Sequence, residues 1–513
     1  MEQSRTKNSI FNVGTGFLNT IVKTILTFIT RTIFIKVLGE TYLGLNGLLT
    51  NILSMLSIAE LGIGTTISFS LYKPLANKDN KKINALMTFY KKAYRIIGIV
   101  ILISGVILIP FLKFILEENI NINHIYLIYT LYLLTTVSTY FISYKEVLII
   151  ADQKNYRLTK INFIFDVLLN GLQIIELLIF KNFVLYLVVQ LVIEFLRRTV
   201  INFFISKEYP QTDFCSKEKI SKSDKQLLSK NVRAMFLHKI GDYSINGTDN
   251  IIMTKFIGLN AVGIYSNYLT IITILNTFIN IIYSSIISSL GNLIAKENEE
   301  KRLKVFNIMD FFGFCIYGYC SVCLFVLLNP FIKVWAGEHY LFSIEIVAII
   351  VLNFYMTGMR VPLGTIKSAA GVYTEDRYIP LLQALTNIVV SIILAKYIGV
   401  LGVLLGTLVS SLIPAIDRPY IVYKYVFNKK VTEYYTRYLK NIIIVVFTTI
   451  VIYFVTSNLN IKNLYIQLIV ICIIATIIYV IIIIVFYRKT VEYVYIKDQI
   501  KKFLSNIMKK KRG

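Results

Sequence analysis

The chain has 513 residues, of which 56% are hydrophobic and 16% are charged. A soluble domain usually has about 45–50% apolar and about 25% charged residues. A chain this apolar could not cover its surface with polar groups in water. The composition therefore excludes a soluble globular protein, a disordered protein and a secreted disulfide-bonded scaffold. The net charge of +25 fits either a nucleic-acid-binding protein or a membrane protein with basic cytoplasmic loops.

About fourteen segments are long and apolar enough to cross a membrane as helices, each of which needs about 20 mainly apolar residues. Period-two alternation, which would indicate membrane strands, is nearly absent. We therefore predict an all-α polytopic membrane protein. In chain order, the predicted spans are 9–35, 43–72, 96–116, 125–150, 161–180, 183–206, 232–256, 261–293, 307–328, 344–366, 379–396, 400–423, 441–457 and 465–487.

The basic residues indicate the orientation of these spans. If the N-terminus is cytoplasmic, 40 of the 54 Lys and Arg residues fall in cytoplasmic segments, and the outer turns hold seven. Cytoplasmic loops carry such an excess of Lys and Arg. We therefore predict a multi-pass protein of the cytoplasmic membrane with both termini in the cytoplasm. The same bias explains the net charge without nucleic acid, so no nucleic-acid partner is expected.

Two parts of the chain resemble each other. Residues 34–44 (FIKVLGETYLG) and 253–263 (MTKFIGLNAVG) share one lysine and two glycines at an offset of 219 positions. Residues 110–113 (PFLK) and 330–333 (PFIK) match at an offset of 220. The offset spans an even number of helices, which predicts two six-helix lobes in a parallel pseudo-two-fold repeat. The last two spans have no counterpart and form an additional C-terminal helix pair.

This repeat predicts the domain organisation. The boundaries are 1–206 for the N-lobe, 207–231 for a cytoplasmic linker, 232–423 for the C-lobe, 424–440 for a cytoplasmic loop, 441–487 for the C-terminal hairpin and 488–513 for a basic cytoplasmic tail. No loop is long enough for a folded catalytic domain. The short loops and the absence of a Walker A or zinc motif indicate a protein that is not an enzyme and has no cofactor.

Polar residues inside predicted spans are the candidate functional residues, because a charge in the bilayer usually faces an interior or a wet cavity. They are Lys23 and Arg31 in span one, Glu60 in span two, Lys239, Asp242, Asn246 and Asp249 in span seven, and Arg360 in span ten. Spans one and seven are equivalent in the repeat, so their polar stripes are expected to line a cavity. The alternative is that these charges pair with each other and only hold the helices together.

Arginine and lysine in such a cavity would attract an anion. Arginine suits a phosphate because its guanidinium can donate two parallel hydrogen bonds, whereas lysine acts as a point charge. Arg197 and Arg198, at the cytoplasmic half of span six, are instead interpreted as anchors at the membrane interface.

Four segments resemble the bacterial polysaccharide repeat-unit flippases, the Wzx-type exporters of O-antigen and teichoic-acid precursors. They are TRTIFIKVLGETYLGLNGLLTNILSMLSIAELGIG (30–64), ADQKNYRLTKIN (151–162), INGTDNIIMTKFIGLNAVGIYSNY (245–268) and NPFIKVWAGEHY (329–340). That family belongs to the superfamily of MATE multidrug exporters and lipid II flippases. The resemblance implies two six-helix lobes around a central cavity, alternating access, and an undecaprenyl-pyrophosphate-linked oligosaccharide as substrate.

The resemblance also implies roles for the polar residues. By their positions in the matching segments, Arg31, Lys239 and Lys23 would contact the pyrophosphate, and Arg360 and Asn246 are further substrate-binding candidates. The acidic residues would carry a coupling ion, H⁺ or Na⁺, or hold the cations in place; they are Asp242, Asp249 and Glu60.

Several functions remain open at this stage. The implied partners are the lipid-linked oligosaccharide, membrane lipids and a polysaccharide polymerase or ligase. The same fold could instead carry a cation-coupled drug exporter or a lipid II flippase. A drug exporter would favour acidic and aromatic residues over Arg and Lys in its cavity. A membrane-embedded polymerase or acyltransferase is disfavoured by the short outer loops.

Overall fold

The computed structural model describes residues 2–56, 77–112, 124–152, 154–216, 247–372, 375–457 and 463–510, with a few single positions between them. Side chains are described from residue 16 onward, apart from 502–510 and scattered positions. Thirteen α-helices are assigned within these ranges: α1 (Glu2–Leu56), α2 (Asn80–Leu108), α3 (Ile125–Ile142), α4 (Glu146–Ala151), α5 (Asn155–Ile179), α6 (Phe183–Glu208), α7 (Leu259–Lys296), α8 (Glu299–Trp335), α9 (Ile344–Ala370), α10 (Ile379–Val422), α11 (Thr432–Ser457), α12 (Leu464–Tyr487) and α13 (Val491–Lys510).

The prediction of an all-helical membrane protein is confirmed. In the part of the chain that the structure describes, nine helical segments are long and apolar enough to cross a membrane. The predicted number of about fourteen spans is approximate, because single helices of the structure extend over parts of two predicted spans. Helix α1 includes span one and the start of span two, and α10 includes spans eleven and twelve.

Both long helices break where the sequence predicts an outer turn. In α1 the break is at Gly39, with φ +81° and ψ −173°, and in α10 it is at Ile398 and Gly399. A residue with a side chain rarely adopts the positive φ of Gly39. The glycine therefore lets the chain change direction between spans one and two while the helices continue on both sides.

Several helices begin before the apolar segment that predicts them. Helix α2 begins at Asn80, although span three is predicted from residue 96, and α11 begins at Thr432, within the predicted loop 424–440. Hydropathy detects only the part of a helix that lies in hydrocarbon. The polar first turns of α2 and α11 are helical but extend beyond the hydrocarbon layer, so hydropathy does not detect them.

Helix α12 shows why the protein needs a lipid environment. Its 24 residues include no charged side chain. One face carries Ile466, Ile469, Ile473 and Ile477, which are 51–61% exposed on the protein surface. Such a stripe would be unfavourable in water but matches a hydrocarbon solvent. The exposed face is therefore a lipid-facing surface.

The chain divides into two compact units, Met1–Ser266 and Asn267–Gly513, which we call the N-terminal and C-terminal units. In the N-terminal unit α1 packs on α5, α5 on α6, α6 on α3, and α3 on α2. In the C-terminal unit α8 packs on α9, α11 and α12, and α9 packs on α10. The predicted lobe boundaries at residues 206 and 232 stay a prediction.

The two repeat segments fold alike and pack against each other within the N-terminal unit. Gly258 has φ +121° and ends the helical segment 247–256, as Gly39 breaks α1. A Cβ atom on Gly44 would contact the carbonyl oxygen of Leu259, and a Cβ atom on Gly263 would contact that of Glu40. Leu259 lies 219 positions after Glu40, so the contact is symmetric. The repeated glycines allow the two helices to approach closely.

Gly44→Ala is expected to destabilise the protein by about 1–3 kcal/mol, because the added methyl group would overlap a backbone carbonyl that cannot rotate away. Gly171→Ala is the matched control, since a Cβ atom on Gly171 has no neighbour within 4 Å. Thermal unfolding in detergent measures both. Equal melting temperatures for the two variants would contradict the close contact.

Candidate functional site

Arg31 occupies a half-buried position on α1 in the N-terminal unit. Its Nη2 atom donates a hydrogen bond of 2.6 Å to the Oγ atom of Ser266, which in turn donates to the carbonyl of Gly263 at 2.6 Å. The phenol of Tyr186, on α6, lies within electrostatic reach of the guanidinium. Hydroxyl groups can orient a guanidinium without carrying a charge themselves. This arrangement suits the binding of an anionic group by Arg31.

A buried ion pair joins α5 and α6 near Lys23 of α1. Arg197, on α6, donates from Nη2 to Oδ1 of Asp166, on α5, at 2.7 Å, and the two residues are 7% and 5% exposed. Lys23 Nζ is 3.9 Å from the other carboxylate oxygen of Asp166, while the Lys23 side chain is 57% exposed. Lys23 therefore has an acidic neighbour that is 143 positions away in the sequence and on another helix.

A polar face on α5 was not predicted from the sequence. Asp166, Asn170, Gln173 and Glu176 are all buried. The Thr30 hydroxyl, on α1, donates to Asn170 Oδ1 at 2.8 Å, so this face packs toward α1. The signal was present as polar residues at intervals of four, three and three within an otherwise apolar span, the same periodicity that singled out span one.

The interpretation of Arg197 as an interface anchor is wrong. Its side chain is buried between α5 and α6 and pairs with Asp166 and, at 3.4 Å, with Glu194. Arg198 is partly buried and pairs with Glu146 at 2.6 Å. Burying an arginine requires a partner, and a partner on another helix cannot be recognised from the residues adjacent in sequence.

The remaining candidates lie on other elements or outside the described residues. Asp249 is 5% exposed on the helical segment 247–256, and Tyr265 lies within its electrostatic reach. Arg360 lies on α9 in the C-terminal unit, where its Nη2 atom donates to Oγ1 of Thr357 at 2.9 Å. The other four lie outside the described residues: Glu60, Lys239, Asp242 and Asn246. Among the side chains that the structure describes, no group of His, Cys, Asp or Glu could hold a metal ion.

The C-terminal unit has an ion pair of its own. Arg437, on α11, lies 3.1 Å from Asp310, on α8, and donates to Oδ1 of Asn307 at 3.0 Å. Asp310 is 2% exposed. Beside the pair is an open cavity of about 440 Å³, whose lining also includes Lys440 and Glu492. Because both signs of charge line this cavity, it shows no preference for an anionic or a cationic ligand.

Comparison with known families gives one match that covers more than half of the chain. The profile of a family described as "Polysaccharide biosynthesis protein" matches residues 10–288. The matched range contains Arg31, Lys23 and Asp166. No curated protein sequence matches the chain.

Solved structures show the same fold at low sequence identity. A structure titled "Lipid II flippase MurJ, inward closed conformation" is 15% identical, with 92% of this chain and 98% of that chain covered and a TM-score of 0.65. An inward-facing multidrug resistance MATE family transporter of the MOP superfamily is 14% identical over 77% and 92%, with a TM-score of 0.61. A mutant form of the MATE transporter VcmN of Vibrio cholerae is 13% identical over 83% and 97%, with a TM-score of 0.55.

Proposed function

Because the chain belongs to the polysaccharide biosynthesis protein family, which includes the Wzx-type flippases, we propose that it moves undecaprenyl-pyrophosphate-linked oligosaccharide units across the cytoplasmic membrane. The fold is that of multi-pass transporters of the MOP superfamily. We propose that the membrane is the cytoplasmic membrane. The proposed cargo is a lipid-linked repeat unit used to build a surface polysaccharide such as a capsule, an exopolysaccharide, an O-antigen or a teichoic acid.

The partial burial of Arg31 and its hydrogen bond to Ser266 are the main support for this proposal. A lipid-linked pyrophosphate has to leave water, so a flippase needs a cation inside the membrane to replace the lost hydration. Arg31 is half-buried on α1, within predicted span one, and is oriented by the hydroxyl of Ser266. The guanidinium offers two parallel donors to a phosphate, and hydroxyl groups beside it could also bind sugar.

We further propose that a gradient of H⁺ or Na⁺ drives transport by alternating access. The candidate carboxylates for the coupling ion are Asp249, Asp242 and Glu60. The proposed orientation has both termini in the cytoplasm, which the excess of Lys and Arg in one set of loops supports. A polymerase or a ligase that uses the delivered units is the expected protein partner.

Two other cargoes fit the same fold. A lipid II flippase would also need a cation for a pyrophosphate, and the likeness to the MurJ structure favours this alternative. A multidrug exporter would bind cationic drugs, for which an arginine such as Arg31 is unfavourable because like charges repel. The family match favours the polysaccharide cargo over both.

Lipid analysis of a deletion strain tests the proposal. We expect undecaprenyl-pyrophosphate oligosaccharide to accumulate on the cytoplasmic side while the surface polymer disappears, because the cargo is still made but does not cross. Restoring the wild-type gene should reverse both changes, and mass spectrometry of the accumulated lipid identifies the sugar. Accumulation of lipid II would indicate the first alternative. Unchanged lipid intermediates with increased sensitivity to cationic drugs would indicate the second.

A further inference from the structure

Three basic residues of the N-terminal unit lie around Tyr144 and the chain segment that follows α6. Lys91 and Arg95 are one turn apart on α2, and Lys145 ends the short 3₁₀ turn Ser143–Lys145 between α3 and α4. The segment 209–216, which follows α6, packs over this position. We call Lys91, Arg95 and Lys145 the basic cluster. By the predicted orientation, it lies on the cytoplasmic side of the membrane.

Lys145 is a nearly buried cation with neutral partners. It is 9% exposed, donates from Nζ to Oγ of Ser206 at 2.7 Å, and lies 4.5 Å from the ring centre of Phe214. A hydroxyl and an aromatic ring offset only part of the cost of removing an ammonium group from water. The site therefore favours a negative charge brought from outside.

The other two cations also have neutral neighbours. Lys91 donates from Nζ to the Sγ atom of Cys215 at 2.9 Å, and the Arg95 guanidinium lies within electrostatic reach of the Tyr144 hydroxyl. In the described part of the chain, none of the three has a carboxylate within ion-pair distance. Asp213, the one acidic residue of the segment 209–216, accepts a hydrogen bond from the backbone N–H of Cys215 at 2.8 Å.

Nearby basic residues do have acidic partners. Lys154 lies 2.8 Å from Asp152 and 3.3 Å from Glu208, and Arg157 lies 2.6 Å from Glu208. In the C-terminal unit, the buried Lys367 pairs with Asp376. A buried lysine in this protein can thus be neutralised internally. The basic cluster, by contrast, keeps a local excess of positive charge.

The depth of the cluster in the membrane is set by α2. The apolar residues Ile96, Ile99 and Ile103, which directly follow Arg95, are 62%, 48% and 54% exposed, as expected of a lipid-facing surface. Lys91 and Arg95 lie just before this surface begins. Phospholipid phosphates occupy the layer where a helix leaves the hydrocarbon, and basic pockets there bind anionic headgroups.

We propose that Lys91, Arg95 and Lys145 bind a phosphate group, and that the depth of the site makes the phosphodiester of an anionic phospholipid its ligand. Arg95 and Lys91 reach the phosphate from the exposed side, and Lys145 contributes a charge from beneath. This site is separate from the Arg31 position and does not depend on the cargo, so it would be present in a glycan flippase and a drug exporter alike.

Native mass spectrometry of the purified full-length protein tests the site. The protein is equilibrated with phosphatidylglycerol or with neutral phosphatidylcholine, and the retained lipid is counted. We expect Arg95→Gln and Lys145→Met each to retain phosphatidylglycerol about tenfold more weakly, the loss of one charge-assisted contact. Lys92→Gln is the matched control, because Lys92 is exposed and lies next to Lys91, and its replacement by glutamine removes the same charge.

The outcomes separate the two sources of phosphate. Retention of phosphatidylglycerol that resists inorganic phosphate supports a lipid site, whereas displacement by inorganic phosphate supports a site for free phosphate. Equal retention by wild type, Arg95→Gln and Lys92→Gln would overturn the proposal. If Lys145→Met does not fold, Arg95→Gln still decides, because Arg95 is exposed and its replacement leaves the packing intact.

Discussion

Arg31→Ala is expected to abolish export of the surface glycan while the protein remains in the membrane. The substitution removes the guanidinium that we propose to bind the pyrophosphate, a contact of about 1.5–3 kcal/mol. A loss of this size lowers the transport rate by at least about tenfold. Surface glycan is measured by immunoblotting in a deletion strain that carries the variant gene, and membrane fractions of the same cells report the protein level.

Three further variants define the role of Arg31. Arg31→Lys should retain part of the activity, because the charge remains but the paired donors are lost. Ser266→Ala should have a smaller effect, since it removes an orienting hydroxyl but no charge. Arg488→Ala, which removes an exposed arginine at the end of α12, is the control and should export normally. Normal export by Arg31→Ala would refute the assignment, and full activity of Arg31→Lys would favour a point charge.

Asp166→Ala is expected to destabilise the protein by about 3 kcal/mol, the lower end of the cost of breaking a buried ion pair, because the buried Arg197 loses its closer carboxylate and keeps only Glu194, at 3.4 Å. The exposed Lys23 would also lose its acidic neighbour, at a smaller cost. Thermal unfolding in detergent should show a clear fall in the melting temperature. Lys301→Ala is the comparison, since its pair with Glu297 is exposed and exposed pairs contribute about 0–1 kcal/mol.

A double replacement distinguishes the ion pair from simple packing. Asp166→Leu with Arg197→Met removes both charges and keeps side chains of similar size, so it should recover most of the lost stability. Asp166→Leu and Arg197→Met are also measured singly. If the loss of stability in the double variant equals the sum of the two single losses, the charges are not coupled. Export by the double variant then reports whether the pair takes part in transport, because stability is restored.

The repeat in the sequence predicted more than a duplicated fold. In the sequence, Gly39 matches Gly258 and Gly44 matches Gly263. In the structure, the two members of each match have the same role. Gly39 and Gly258 each have a positive φ where a helix breaks or ends, and Gly44 and Gly263 each allow a close backbone contact. Glycine is informative in sequence because few other residues can replace it in either setting.

The α5 polar face shows where prediction failed. Asp166 and Arg197 lie 31 positions apart on neighbouring helices, and Arg197 was interpreted without its partner. A charged residue near the end of a predicted span is interpreted as an interface anchor unless its ion-pair partner is known. The partner is decided by which faces of α5 and α6 meet, and hydropathy carries no information about that.

The sequence alone determined that this is a multi-pass helical membrane protein. That property depends on the solvent of each segment, and apolar runs report the solvent residue by residue. Only the tertiary structure decided which charges are neutralised. Asp166 pairs with Arg197, whereas Lys145 is buried beside a hydroxyl and an aromatic ring. Electrostatic pairing depends on distances between helices, which are set by packing rather than by order along the chain.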